Sequence, residues 1–198
     1  MHIVIIDTGC SNLFSVATAI HNLGYHSTIS QDVNCISQAD KLFLPGVGTA
    51  QSAMQQLNKK KIINLIKTCK QPILGICLGM QLFGSSSDEN GGITTLNVIN
   101  IPTKKINVNK LPLPHMGWNK VTVKNKHYLF HNIKNNNYFY FVHNYAMPLC
   151  NETIAKSHYG SSFTAAIAYK NFFGVQFHPE KSGYAGKQLI KNFLEIEI

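Results

Sequence analysis

Pro72-Ile73-Leu74-Gly75-Ile76-Cys77-Leu78-Gly79-Met80-Gln81-Leu82-Phe83 is the stretch from which the fold can be read. An apolar run of strand character, starting at Pro72, passes with no linker into a helix-like stretch, Met80–Phe83. The junction carries a cysteine between Gly75 and Gly79. A nucleophile flanked by glycines where a strand turns directly into a helix is the nucleophile-elbow pattern, here with Cys in place of Ser. Such a turn strains the backbone of its central residue, needs small neighbours, and leaves that side chain exposed above the sheet edge. The helix N-terminus beyond it lowers a thiol pKa and offers N–H groups to an oxyanion. Cys77 is therefore a candidate nucleophile.

Upstream, strand and helix signals alternate. Ile3–Asp7 reads as a strand, Asn12–Asn22 as a helix stopped at Gly24, Ser27–Ser30 as a short strand and Lys41–Leu44 as another. The last of these ends at Pro45-Gly46-Val47-Gly48, and one helix is expected from about Ala50 to Cys69. This alternation predicts a parallel sheet covered by helices on both faces, with ligands gathered at the carboxyl ends of the strands. The Pro45–Gly48 loop and the Cys77 elbow both take that position.

Downstream the pattern changes. Lys120–Lys124, Tyr138–Val142, Phe163–Tyr169 and Phe172–Phe177 read as strands separated by short polar turns, which predicts antiparallel additions to the sheet. Ser85–Gly92 reads as a surface loop and Gly183–Leu194 as a closing helix. With no repeat and no long linker, residues 1–198 are expected to form one domain.

A nucleophile needs a base, and Phe172-Phe173-Gly174-Val175-Gln176-Phe177-His178-Pro179-Glu180 supplies one. The apolar run is a strand whose ladder Pro179 ends. In extended chain, residues two apart point to the same side. Glu180 can then fix the tautomer of His178 and stabilise its imidazolium form while the other ring nitrogen faces a thiol. Taken singly, a glycine-flanked Cys reads as a small buried residue and a His after a strand as a packed one. In combination they give nucleophile, base and orienter.

Composition narrows the function classes. No apolar run reaches about 18 residues, so no membrane span is expected. The N-terminus reaches Asp7 too soon for a signal peptide. Cys10, Cys35, Cys69, Cys77 and Cys150 are odd in number, scattered and without a C-x-x-C. They suggest neither a disulfide framework nor a zinc site, and a reducing cytoplasm is the expected home. The net charge of +9 is carried entirely by lysine, with 18 Lys and no Arg. Phosphate and guanine recognition leans on the guanidinium fork, so nucleic acid is not the expected partner. The cluster Lys59-Lys60-Lys61 is read as a solvated face of a helix.

Pro45–Gly48, the Cys77 elbow and Phe177-His178-Pro179-Glu180 resemble the class I (triad) glutamine amidotransferases. Ile6–Leu13, Pro114-His115-Met116-Gly117-Trp118-Asn119, Tyr140–Tyr145 and Lys181-Ser182-Gly183 sharpen the resemblance towards the glutaminase subunits of imidazole glycerol phosphate synthases. It extends from about residue 3 to residue 194.

That resemblance implies a flavodoxin-like α/β three-layer sandwich, its central sheet mostly parallel with antiparallel additions. It implies that Cys77 attacks the side-chain amide of glutamine with His178 and Glu180 in support, and that no cofactor is used. The implied oxyanion donors are the amide of Leu78 and one from the Val47–Gly48 loop. The implied substrate contacts are Gln81, Glu89 (towards the α-ammonium group), Asn144 and Tyr145, with Asn144 where the family more often has Ser. The implied partner is a (β/α)8-barrel cyclase subunit that takes up the ammonia, facing His115, Met116, Trp118 and Lys181. Other triad amidotransferase subunits, a silent binding module on the same fold, and a cysteine peptidase remain as alternatives. Glutamate release from glutamine separates the glutaminases from the last two.

Overall fold

The computed structural model describes residues 1–9, 12–124 and 126–197. Cys10 and Ser11, which fall within the Ile6–Leu13 segment of the resemblance, lie outside the described residues. The first half alternates as expected: β1 (Ile3–Ile6), α1 (Leu13–His21), β2 (Ser27–Ser30), α2 (Val33–Ser37), β3 (Lys41–Gly46), α3 (Ala50–Lys59), α4 (Ile63–Thr68), β4 (Ile73–Cys77) and α5 (Leu78–Leu82). Every residue of β1 is buried, and its side chains serve two cores in turn. Ile3 and Ile5 join Val16 of α1, while Val4 and Ile6 join Leu57 of α3 and Ile66 of α4. A strand with this double burial has cover on both faces, as its period of two requires.

The single helix expected from Ala50 to Cys69 is two helices. Lys61 takes a left-handed φ of 57°. The Ile62 amide donates to the Leu57 carbonyl and the Lys61 amide to the Asn58 carbonyl, which is a Schellman C-cap. Ile62 and Leu57 pack together in the core beneath it. Such caps usually carry glycine, so a lysine at this position hides the stop. The Lys59–Lys61 cluster accordingly forms the end of a helix rather than its face.

The second half contains β5 (Ser86–Ser87), β6 (Ile93–Thr94), β7 (Lys104–Lys105), β8 (His115–Val123), β9 (Asn137–His143), β10 (Tyr145–Ala146), β11 (Thr153–Tyr159), β12 (Ser161–Tyr169), β13 (Phe172–Val175) and α6 (Gly183–Leu194). Ser85–Gly92 is more than a surface loop: β5 pairs with β6, Ser87 is buried, and Glu89–Gly91 form a 3-10 turn. β11 escaped the sequence reading because its inward positions are Thr153, Ala155 and Ser157, too small or polar to mark an apolar face. No helix among the described residues is long and apolar enough to cross a membrane.

Nine strands make one sheet in the order β2-β1-β3-β4-β13-β12-β11-β8-β9. Pairings from β2 to β13 are parallel and those from β13 to β9 antiparallel. β13 therefore is not a purely antiparallel addition. It forms a hairpin with β12 and also lies parallel to β4, with Phe172 opposite Ile73 and Val175 opposite Ile76. Local sequence shows the hairpin but not the neighbour nearly a hundred residues away. The antiparallel half then curls, so that Tyr140 on the edge strand β9 accepts the His178 amide hydrogen at 2.8 Å. That closure brings the chain after β13 and the end of β9 to the carboxyl end of β4.

Candidate active site

Cys77 ends β4 and is the N-cap of α5, at φ 53° and ψ −108°. A non-glycine residue held there stores about 1–3 kcal/mol of strain. The packing explains how it is held. A Cβ on Gly79 would lie 1.7 Å from the Leu44 carbonyl oxygen of β3, and one on Gly75 would lie 2.6 Å from the Phe83 ring. Both glycines let α5 press against the sheet, and the close approach fixes the turn between them. With only five residues, α5 contributes little as a dipole; its unpaired first-turn N–H groups are what it offers.

Cys77 lines a cavity of about 360 Å³, within the range of small-molecule sites. Val47, Gly48, Leu78, Gln81, Glu89, Asn144, Tyr145 and His178 share its wall. The structure thus brings together every residue that sequence reading placed in the catalytic, oxyanion and substrate groups except Glu180, which stands behind His178. Among the described residues there is no cluster of His, Cys, Asp or Glu fit to hold a metal ion.

His178 Nδ1 is 2.8 Å from Glu180 Oε1, and the two side chains are 2% and 0% exposed. Asn12 Nδ2 donates to the same carboxylate oxygen at 3.3 Å. Pro179 opens a 3-10 turn, Pro179–Lys181, that carries Glu180 back beneath the imidazole. Ser182 Oγ donates to the His178 carbonyl at 2.6 Å and accepts from the Tyr140 amide at 3.0 Å, pinning this turn to β9. The strand itself stops at Val175, two residues before the Phe177 that the apolar run predicts. Burial by itself would lower the His178 pKa. The nearby Cys77 sulfur and the hydrogen-bonded Glu180 carboxylate outweigh it and raise the value to about 10. His178 Nε2 has no fully formed hydrogen bond among the described residues and is the atom left for the thiol and the reacting group.

Several residues had no assigned part in the site reading. The Cys77 thiol donates to the Val142 carbonyl at 3.8 Å, and Gln176 Nε2 donates to Sγ at 3.7 Å. Gln176 is 0% exposed. Its one signal in the sequence was a polar residue in an apolar strand, two places before the base.

Gln81 Nε2 donates both to the Tyr145 carbonyl at 2.8 Å and to Gln176 Oε1 at 3.0 Å. Its two amide hydrogens are thereby committed, and Oε1 is the group it can turn to a ligand. Glu89 Oε2 accepts from the Ala50 amide at 2.7 Å, at the first residue of α3. Asn144 is exposed, and its carbonyl accepts from the Ile106 amide.

His115 requires correction as a partner-facing residue. It is 2% exposed, stacked between Phe141 and Tyr159, and faces His143 directly across the β8–β9 pair. His143 Nδ1 lies 2.9 Å from the Tyr145 carbonyl, which can only accept, so that nitrogen carries the hydrogen. Burial lowers the His143 pKa to about 3 and the His115 pKa to about 4, so both rings are neutral. His143 Nε2 therefore accepts from His115 Nδ1 at 2.8 Å, and His115 Nε2 accepts from Asn119 Nδ2 at 3.2 Å. Met116, at 61%, and Trp118, at 56%, are exposed on the same strand, and Lys181 is exposed at the last position of the Pro179–Lys181 turn.

A family profile described as "Glutamine amidotransferase class-I" matches residues 4–196. Among curated proteins, the chain is 62% identical to "Imidazole glycerol phosphate synthase subunit HisH" of Blochmanniella pennsylvanica, over 99% of this chain and 100% of that one. It is 60% identical, with the same coverage, to the protein of that name from Pectobacterium atrosepticum. Among solved structures it is similar to a putative GMP synthase protein from Thermoplasma acidophilum, with a TM-score of 0.76 and 22% identity. That match covers 98% of this chain and 92% of the other. The glutaminase domain of Trypanosoma brucei CTPS with bound acivicin gives a TM-score of 0.62 at 16% identity, over 100% and 95% of the two chains. At those identities the structural matches speak for the fold alone.

Proposed function

The chain belongs to the class I glutamine amidotransferases, and we propose that it is the glutaminase subunit of an imidazole glycerol phosphate synthase, acting in histidine biosynthesis. The observation that carries this reading is the strained Cys77 sharing one cavity with a His178 whose other ring nitrogen is held by a fully buried Glu180. The relatives that bear the synthase name match the chain end to end.

The chemistry follows from the residues. The Cys77 thiolate attacks the side-chain amide carbon of glutamine, and the negative charge moves to the carbonyl oxygen. The Leu78 amide and an amide of the Val47–Gly48 loop receive that charge. Protonated His178 gives its proton to the leaving nitrogen, ammonia departs, and a γ-glutamyl thioester remains. His178, now neutral, takes a proton from water as it attacks the thioester. A second tetrahedral intermediate collapses, glutamate leaves, and the thiolate is restored. Glu180 keeps the imidazole in one orientation throughout. Gln81 Oε1, Glu89 and the Asn144–Tyr145 backbone bind the amino-acid end of glutamine.

Ammonia released into neutral water becomes ammonium, a poor nucleophile, so a partner should collect it directly. That partner is a (β/α)8-barrel cyclase subunit, paired one to one with this chain. It uses the ammonia to form imidazole glycerol phosphate and aminoimidazole carboxamide ribotide. Exposed Met116, Trp118 and Lys181 are the contact surface, and buried His115 supports it from beneath. The test is glutamate release with and without the cyclase and its nucleotide ligand. Stimulation by that pair is expected. Cys77→Ser should abolish glutamine-driven synthesis and spare synthesis driven by added ammonia; loss of both would overturn the assignment.

A further inference from the structure

We infer that Gln176 is a catalytic residue: its side-chain amide donates to Cys77 Sγ and favours the attacking thiolate over the thiol. The inference rests on the reading of Cys77 as nucleophile and adds a group that the triad does not contain.

Two polar groups of opposite character touch the sulfur. The Val142 carbonyl, 3.8 Å away, can only accept, and so it holds the neutral thiol. Gln176 Nε2, 3.7 Å away, can only donate, and a donor is worth more to an anionic sulfur than to a neutral one. The His178 imidazolium facing the sulfur favours the thiolate first, and which end of the Gln176 amide faces Cys77 then biases the balance further.

That end is set by a chain of donors that begins at a backbone carbonyl. The Tyr145 carbonyl must accept, so the group 2.8 Å from it on Gln81 is the NH2. The same NH2 meets Gln176 at 3.0 Å, so the Gln176 atom there is Oε1, and its own NH2 is left for the sulfur. Turning the Gln176 amide over would set NH2 against NH2 and an oxygen lone pair against the thiolate. His143 Nδ1 also donates to the Tyr145 carbonyl, and His143 is kept in that tautomer by His115 and Asn119. No solvent reaches Gln176 to offer it another partner.

When the sulfur attacks, its charge passes to the carbonyl oxygen and this hydrogen bond weakens. It strengthens again as the thioester breaks and the sulfur leaves as an anion. Gln176 thus adds to His178 in raising the fraction of reactive nucleophile and assists its departure.

The test is the pH dependence of Cys77 alkylation by iodoacetamide, followed site by site by mass spectrometry in the full chain bound to its cyclase subunit. Gln176→Met keeps length without the donor and should move the half-maximal pH up by about one unit, as expected for losing one hydrogen bond to a charged group. Gln176→Glu keeps an acceptor for Gln81 but sets an oxygen against the sulfur, and should move it further. Glutamine turnover at neutral pH should fall about tenfold in Gln176→Met and recover as the pH is raised, which a merely structural defect would not do. An unshifted alkylation profile in either variant that keeps the wild-type melting temperature overturns the inference. Should Gln176→Met fail to fold, Gln176→Leu, which lacks the donor and adds no charge, takes its place. If Cys77→Ser retains glutaminase activity, the nucleophile reading fails instead, and this inference fails with it.

Discussion

The Glu89 carboxylate accepts the Ala50 amide hydrogen at 2.7 Å, joining the wall of the cavity to the first residue of α3. Only Thr49 separates that helix start from Gly48, so one side chain touches both the Cys77 cavity and the helix that anchors the Val47–Gly48 loop. An anion at a helix N-terminus contributes about 0.3–1 kcal/mol, and its hydrogen bond a similar amount. Glu89→Ala should therefore lower the melting temperature by about 2–4 °C and raise the KM for glutamine. Glu89→Gln retains an acceptor for Ala50 but not the charge. It should melt close to wild type with KM still raised by about tenfold or more, the range for losing a charge-assisted contact. A Gln variant with wild-type KM would remove Glu89 from substrate binding and leave it only the helix.

The two kinds of glycine around the site should respond differently to alanine. At Gly79 a Cβ would sit 1.7 Å from the Leu44 carbonyl, inside a sheet that cannot give way. Gly79→Ala should cost more than about 3 kcal/mol or yield no folded protein. At Gly48 nothing lies within 4 Å of the added carbon, and the obstacle is a φ of +91°. Gly48→Ala should cost only about 1–2 kcal/mol of stability while displacing the loop proposed to supply an oxyanion donor. Denaturant melts beside glutaminase rates would show the first variant failing in stability and the second mainly in rate.

The contrast between these glycines marks how far sequence could lead. Strand-to-helix junctions, the elbow and the order Cys77, His178, Glu180 are local patterns. β1, β3, β4 and α6 lie where the apolar runs placed them, and α6 spans the expected residues. What local patterns cannot carry is pairing at long range. β13 lies beside β4 because residues 172–175 meet residues 73–76, and β9 curls round to the His178 turn through the carbonyl and amide of Tyr140. Gln176 and the His115–His143 pair were illegible for a related reason. Buried polar residues reveal a role only through their partners, and those partners are 95 and 28 residues away.

Trp118 and His115 lie three positions apart on β8, yet one is 56% exposed and the other 2%. Large aromatic side chains at the centre of an interface typically contribute about 2 kcal/mol when truncated, or roughly thirtyfold in affinity. Trp118→Ala should weaken binding of the cyclase subunit by that factor and leave the melting temperature of the isolated chain unchanged. His115→Ala should instead lower the melting temperature and weaken binding less than Trp118→Ala does, since it opens a space between Phe141 and Tyr159 and removes the donor to His143 beneath the contact surface. Calorimetric titration and thermal melts of the two variants give four numbers. A Trp118→Ala protein that binds the cyclase as wild type does would displace the proposed contact surface.

Burial holds His115 near pKa 4 and His143 near pKa 3 in the folded chain, while both return to about 6.5 on unfolding. Because the folded values are lowered, the unfolded chain takes up these protons first. Their contribution to stability is fully present above pH 6.5 and is lost as pH falls through the interval down to about 4 for His115 and about 3 for His143. Each ring can add at most one proton, or about 1.4 kcal/mol per pH unit, to the slope there. Carboxylates titrate in the lower part of the same interval, so the informative quantity is a difference between proteins. His115→Phe preserves the stack and deletes one titrating ring. It should start from a lower melting temperature at pH 7 and lose less than wild type between pH 6.5 and 4.5. Parallel curves for the two proteins would mean that His115 takes up its proton over the same pH range folded as unfolded, which would break the donor order running from Asn119 to the Tyr145 carbonyl.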